Sequence, residues 1–217
     1  MQFIERTIDS VDWITLCLVG CVLLFSAAKL FYPRRFQEFI MLPLTNKYFL
    51  VQGRSEQIQH PFNLLLFAAQ IILACLFIFI TIKGFQPELI KENSWLFVQI
   101  CTGYAGFIFI KFCIEKIIGA IFSIDVLINR YLYQKLTYRN LLAIVFFAAC
   151  LLLSRVAEPS KPLLLVVAAV VILCNCIALF YSYKTNGRLI LSNFFYFILY
   201  LCALEISPYI ILYKIVV

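Results

Sequence analysis

Charge is what this sequence has least of. Of its 217 residues, 13% are Asp, Glu, Lys or Arg, where an average globular chain has about 25%. With 64% apolar residues, against about 45–50% for soluble domains, it is neither a disordered chain nor an ordinary water-soluble enzyme. Histidine is nearly missing: His60 is the only one, which excludes an H-E-x-x-H zinc protease or a multi-histidine oxidase site. There is no G-x-S-x-G elbow and no G-x-x-x-x-G-K-[ST] phosphate loop. No acidic cluster of the kind that holds Mg²⁺ is present. Cysteine is plentiful, at nine residues, but every one lies in an apolar run and no C-x-x-C pair occurs, so they read as small buried hydrophobes. Catalytic, cofactor and metal sites are therefore not expected.

What is present is a set of long apolar runs. A helix crossing the ~30 Å hydrocarbon core needs about 20 mostly apolar residues. Six segments qualify: Trp13 to Tyr32, Pro61 to Lys83, Ser94 to Ile117, Thr137 to Val156, Leu163 to Tyr183 and Leu189 to Tyr213. The first is preceded by Glu5, Asp9 and Asp12 against a single Arg6, whereas a signal peptide needs a basic start. The links 157–162, with two prolines, and 184–188, with Asn-Gly, read as tight connections between antiparallel neighbours. The expectation is an all-α, polytopic transmembrane bundle of six spans, one integral membrane domain over residues 1–217, with an interfacial amphipathic segment between spans one and two.

The basic residues orient it. Lys29, Arg34, Arg35, Lys47, Arg54, Arg130, Lys135, Arg139, Lys184 and Arg188 fall on one face; Arg6, Lys83, Lys91, Arg155, Lys161 and Lys214 fall on the other. The positive-inside rule makes the richer face cytoplasmic and puts both termini in the periplasm. The longest polar connection, 33–60, carries Phe36, Phe39 and Ile40 at i, i+3, i+4 among Arg34, Arg35, Lys47 and Arg54. It reads as an anchor on an anionic leaflet or as a docking surface for a partner. The basic residues are spread over short loops rather than gathered in a stripe, so nucleic acid is not an expected partner. His60, alone before Pro61, reads as an interfacial residue at a helix start.

Ionisable groups within a span are costly, about 2.5–3.5 kcal/mol each at mid-depth on insertion scales, so their positions matter. Lys111 and Glu115 lie one turn apart and can pair on one helix face. If that span enters at Trp95, Lys111 lies about 24 Å in, near the inner boundary. The stretch 117–136 then runs along or obliquely into the inner interface; a span shifted to 103–124 would instead put the pair deep. Glu205 stands beside Ser207 and Pro208; proline cannot donate to the carbonyl of Leu204, so a helix there kinks or opens at the acid. Its carboxyl is then protonated, paired to another helix or lining a wet cavity. Gln70, Gln99, Asn175 and Asn193 are candidates for gluing helices, and Thr102, Gly103 and Gly106 form a small-residue patch suited to close helix approach.

The run from Phe197 to Pro208, Phe-Ile-Leu-Tyr-Leu-Cys-Ala-Leu-Glu-Ile-Ser-Pro, together with the size and span pattern, resembles an uncharacterised family of multipass inner-membrane proteins from Bacteroidota. The resemblance implies a Gram-negative cytoplasmic membrane and carries no activity. The absences and small outer loops predict a non-enzymatic subunit or scaffold of an envelope complex, with the lipid bilayer and other membrane proteins as partners. The alternative is a small transporter or proton-coupled permease built on Glu205.

Overall fold

The computed structural model describes residues 12–42, 60–86, 88, 95–121, 125–155 and 161–192. Among them the chain is all-α: α1 (Asp12–Phe31), α2 (Pro33–Ile40), α3 (Pro61–Phe85), α4 (Leu96–Ile121), α5 (Asp125–Arg155) and α6 (Lys161–Ser192). Four stretches are long and apolar enough to cross a membrane: Trp13–Phe31, Pro61–Phe85, Leu96–Ile121 and Tyr131–Ser154. α6 adds a shorter apolar one, Lys161–Ile177. Of the sixth expected span, 189–213, residues 189–192 continue α6 and the rest lie outside the described residues.

Prolines set the early helix starts. Pro33 and Pro61 sit in the first turns of α2 and α3, where the missing N–H is no loss and the fixed φ suits a helix. Pro33 also disfavours helical backbone in the residue before it, and Tyr32, at φ −134°, separates α1 from α2. His60 is extended at φ −62° and ψ 133°, and its Nδ1 accepts the Phe62 N–H at 3.2 Å, capping α3.

Two connections differ from the sequence expectation. The stretch 117–136 is not one interfacial segment: it is divided between the end of α4 and the start of α5. The 184–188 link is not a turn either, because α6 runs through Asn186 and Gly187 to Ser192. A glycine inside a helix costs only about 1 kcal/mol relative to alanine, too little to end a helix that is apolar on both sides. In a helix entering the bilayer at Lys161, Lys184 lies about 35 Å along the axis, past a ~30 Å core.

Side-chain contacts give the topology. Trp13 meets Phe79 at one end of the bundle and Tyr32 meets Phe62 at the other, so α1 and α3 are antiparallel. Phe79–Phe97 and Gln70–Tyr104 make α3 and α4 antiparallel. Asn63–Asn140 and Leu73–Cys150 make α3 and α5 parallel. α3 is central and touches α1, α4, α5 and α6. Its buried residues run from Phe62 to Ile80, while Leu64 and Ala68 on one side of its first half are exposed. Near its end, a methyl on Gly84 would overlap Leu164 of α6, itself 1% exposed, so the absence of a side chain at residue 84 lets the two helices meet.

α2 turns its apolar stripe inward. Phe39 is buried against Phe62, Phe36 packs on the same cluster, and Ile40 stays exposed. Eight of the cysteines fall in described residues and all eight are free thiols. Cys150 donates to the Leu73 carbonyl at 3.7 Å.

Candidate functional site

Polar side chains in this bundle gather where α3, α4 and α5 meet. α4 presents Tyr104, Ile108, Lys111 and Glu115 at i, i+4, i+7 and i+11, one stripe of a helix. α5 presents Lys135, Arg139, Leu142 and Phe146 at the same spacing. α3 contributes Gln70, 2% exposed. Gln70 Nε2 donates to the Tyr104 hydroxyl at 2.9 Å, and its Oε1 accepts from the Arg139 guanidinium at 3.3 Å. One amide thus joins three helices, the gluing role expected of Gln70.

Glu115 is 2% exposed, and Lys135 donates to its Oε1 at 2.8 Å across the α4–α5 interface. Lys135 also lies 5.3 Å from the centre of the Tyr131 ring, and Arg139 lies 6.0 Å from that of Phe67. Lys116 donates to Asn129 Oδ1 on α5. The sequence pairs Glu115 with Lys111 along one helix; the structure adds a bond to Glu115 from Lys135 of the opposite helix. It also places Lys135 and Arg139, assigned above to the cytoplasmic polar face, inside the bundle. That leaves eight basic residues on that face against six on the other.

These groups surround empty space. A cavity of about 470 Å³ is lined by Gln70, Tyr104, Lys111, Lys135, Arg139 and Asn175, among apolar residues of α3 to α6. A smaller lobe of about 120 Å³ shares Lys111, Lys135 and Arg139 and adds Glu115, Phe67 and Phe109. Together the described residues lining the two bring three cations and one acid, a formal surplus of two positive charges. Ligand pockets typically enclose about 300–1,000 Å³ of mostly apolar wall with a few convergent polar groups.

Gly103 lines the larger cavity, and a Cβ built on it or on Gly106 would meet nothing within 4 Å. The small-residue patch therefore makes no close helix contact among the described residues; at Gly103 it leaves room in the cavity instead. Thr102 bonds back to its own helix at Val98 and Gln99.

A family model described as "Domain of unknown function (DUF4271)" matches residues 14–216. The chain belongs to the DUF4271 family. No curated protein and no solved structure matches the DUF4271 chain. Of the other candidate residues, Arg34 is exposed and Arg35 partly buried on α2. Lys47, Arg54, Glu205, Ser207 and Pro208 lie outside the described residues of this DUF4271 protein.

Lys111 and Glu115 stood out as charges within a span, but Lys135 and Arg139 were not grouped with them because they were counted with the polar loops. One signal was available: Lys111/Glu115 and Lys135/Arg139 are both i, i+4 pairs. They flank a connection short enough to bring the two helices back to back.

Proposed function

We propose that this DUF4271 protein is a non-enzymatic, multipass membrane protein that binds an anion inside its helical bundle. One observation carries the reading: Lys111, Lys135 and Arg139 line both of two neighbouring cavities, with Glu115 on the smaller one. Ionisable groups are costly within a membrane-spanning bundle and so mark a place of function. Three basic side chains on one wall would attract an anion. Arg139 is the group best suited to fix its orientation, since a guanidinium presents a planar fork of donors while lysine acts as a point charge.

The proposed setting is the cytoplasmic membrane of a Gram-negative bacterium, with six spans, periplasmic termini and the cavity nearer the cytoplasmic leaflet. Support for this comes from the excess of basic residues at that end. A neighbouring envelope protein would then deliver or receive the ligand, which gives the expected membrane partner a role.

The test is thermal unfolding of the full chain in neutral detergent, titrated with octyl phosphate, octyl sulfate and octanoate, with octyl glucoside as the uncharged control. The anions should raise the melting temperature and the control should not. Hydrogen bonds to charged groups contribute about 1.5–3 kcal/mol, so Arg139→Gln should weaken anion binding roughly 10- to 100-fold. Equal responses to octyl glucoside and to the anions would reject the reading.

A further inference from the structure

Two contacts fix the register of the antiparallel helices α3 and α4. The rings of Phe79 and Phe97 lie 5.8 Å apart, and Gln70 donates to the Tyr104 hydroxyl. In such a pair, the residue one turn before Phe79 comes opposite the residue one turn after Phe97. Those residues are Cys75 and Cys101. Their side chains are joined by a hydrogen bond between the thiols. Cys75 is fully buried and Cys101 is partly exposed.

Two facing thiols on packed helices are close to the geometry of a disulfide. Helix axes about 8–10 Å apart, with each Cα about 2.3 Å off its axis, bring Cα atoms at the line of contact to about 3.5–5.5 Å. Most of that range lies within the span a disulfide bridges. The setting selects the oxidant. Cys101 lies five residues after Leu96, about 8 Å along a membrane-spanning helix. Trp13 packs on both Phe79 and Phe97, one turn nearer that end of α4. Exchange with a water-borne disulfide needs thiolate and access, and an apolar span offers little of either. A species dissolved in the bilayer reaches Cys101 directly, and membrane quinones are the electron acceptors for dithiol oxidation in bacterial envelopes.

We infer that Cys75 and Cys101 are a redox pair, oxidised to a disulfide between α3 and α4 by a lipid-soluble quinone. Each thiol gives up one proton and one electron, the S–S bond forms, and the quinone takes up both hydrogens to become the quinol. The bond fastens α4 to α3 beside Ile78, Ile100 and Gly103, which line the larger cavity. The pair stands independently of the anion-binding reading, since neither thiol touches the basic residues on which that reading rests.

The test uses the full chain, reduced beforehand, in phosphatidylcholine nanodiscs without oxygen. Decylubiquinone is added, because its fully substituted ring forms no thiol adduct. Two of the nine thiols should disappear, one quinol should form for each pair lost, and digestion should yield a peptide linking Cys75 to Cys101. Oxidised glutathione at the same concentration should act at least tenfold more slowly. Cys75→Ala and Cys101→Ala should each abolish quinol formation. Cys176→Ala, at an exposed thiol of α6, should leave its rate unchanged. The linked peptide decides the pairing even where an alanine variant folds poorly. Nine thiols persisting in the presence of quinone would overturn the redox pair. A link from Cys101 to Cys17, its neighbour on α1, would overturn the choice of Cys75. Oxidation by glutathione at the rate of the quinone would overturn the lipid-soluble oxidant.

Discussion

α3 and α4 are nearly the same length, 25 and 26 residues, and each is apolar enough to cross a membrane. In α3, 56% of the most apolar window is buried inside the bundle; in α4, none of it is. Apolarity therefore selects both as spans but says nothing about where either sits. In a bilayer, lipid tails are as apolar as leucine, so burying a leucine against a neighbour gains packing but no transfer from water. What fastens α4 is its polar stripe. Tyr104 bonds to Gln70 of α3, and Glu115 bonds to Lys135 of α5. α3 is held mainly by packing against four neighbouring helices, and α4 by these directed bonds together with Phe97 against Trp13 and Phe79.

The largest expected effect follows from that contrast. Glu115→Leu leaves Lys135, 8% exposed, buried beside the lost carboxylate. Removing one partner of a buried pair destabilises by about 3–5 kcal/mol, while replacing both with apolar groups is often near neutral. Glu115→Leu should accordingly lower stability by that amount, measured by reversible unfolding in mixed micelles. The double variant Glu115→Leu/Lys135→Leu should recover most of it. Additive losses in the double variant would mean that the bond does not hold α4 in place.

A smaller effect separates the helices by packing alone. Leu76 of α3 is fully buried, and Ile110 of α4 is 61% exposed. Leu76→Ala opens a cavity and should destabilise by about 2 kcal/mol, the low end for such truncations because the transfer-from-water part is missing. Ile110→Ala should change stability by less than about 0.5 kcal/mol, as substitutions away from packed or bonded features do. Similar losses at the two sites, in the same unfolding assay, would erase the distinction between a packed helix and a bonded one.

Four of the six expected spans were readable as helices long and apolar enough to cross a membrane, because a run of ~20 apolar residues has few other meanings. Helix starts at Pro33 and Pro61 were readable from proline's own chemistry. The polar site was not, and the reason is physical. α3 carries few polar residues, Asn63 and Gln70 among them, too few to show from the sequence which side meets which neighbour. Lys135 and Arg139 look like loop residues when 117–136 is taken as one interfacial stretch. They become interior residues only once that stretch is folded back as a helical hairpin. Asn186–Gly187 misled in the opposite direction, since a turn-forming pair does not force a turn inside a longer helix. Phe36 and Phe39 were readable as one face of a helix, but the sequence did not tell a lipid surface from the side of Phe62.

The smallest expected effect concerns how α3 begins. His60 Nδ1 accepts the Phe62 N–H, and only an unprotonated Nδ1 can do so. Tyr32 packs edge-on against the ring at 4.9 Å. Burial first, and then the positive charge of Arg35, lower the His60 pKa from its ordinary value of 6.5. A lowered folded-state pKa means the unfolded chain takes up the proton first. The stabilisation is therefore complete above pH 6.5 and is lost as pH falls through the lowered value. Acidification from pH 7.5 to 5 should speed hydrogen exchange at the Phe62 amide more than in the interior of α4. His60→Asn, a good cap that does not titrate in this range, should remove that pH dependence while keeping the amide protected. Exchange at Phe62 that is indifferent to pH in the unsubstituted protein would show that packing of Tyr32 and Phe39 on Phe62, rather than the imidazole, fixes the start of α3.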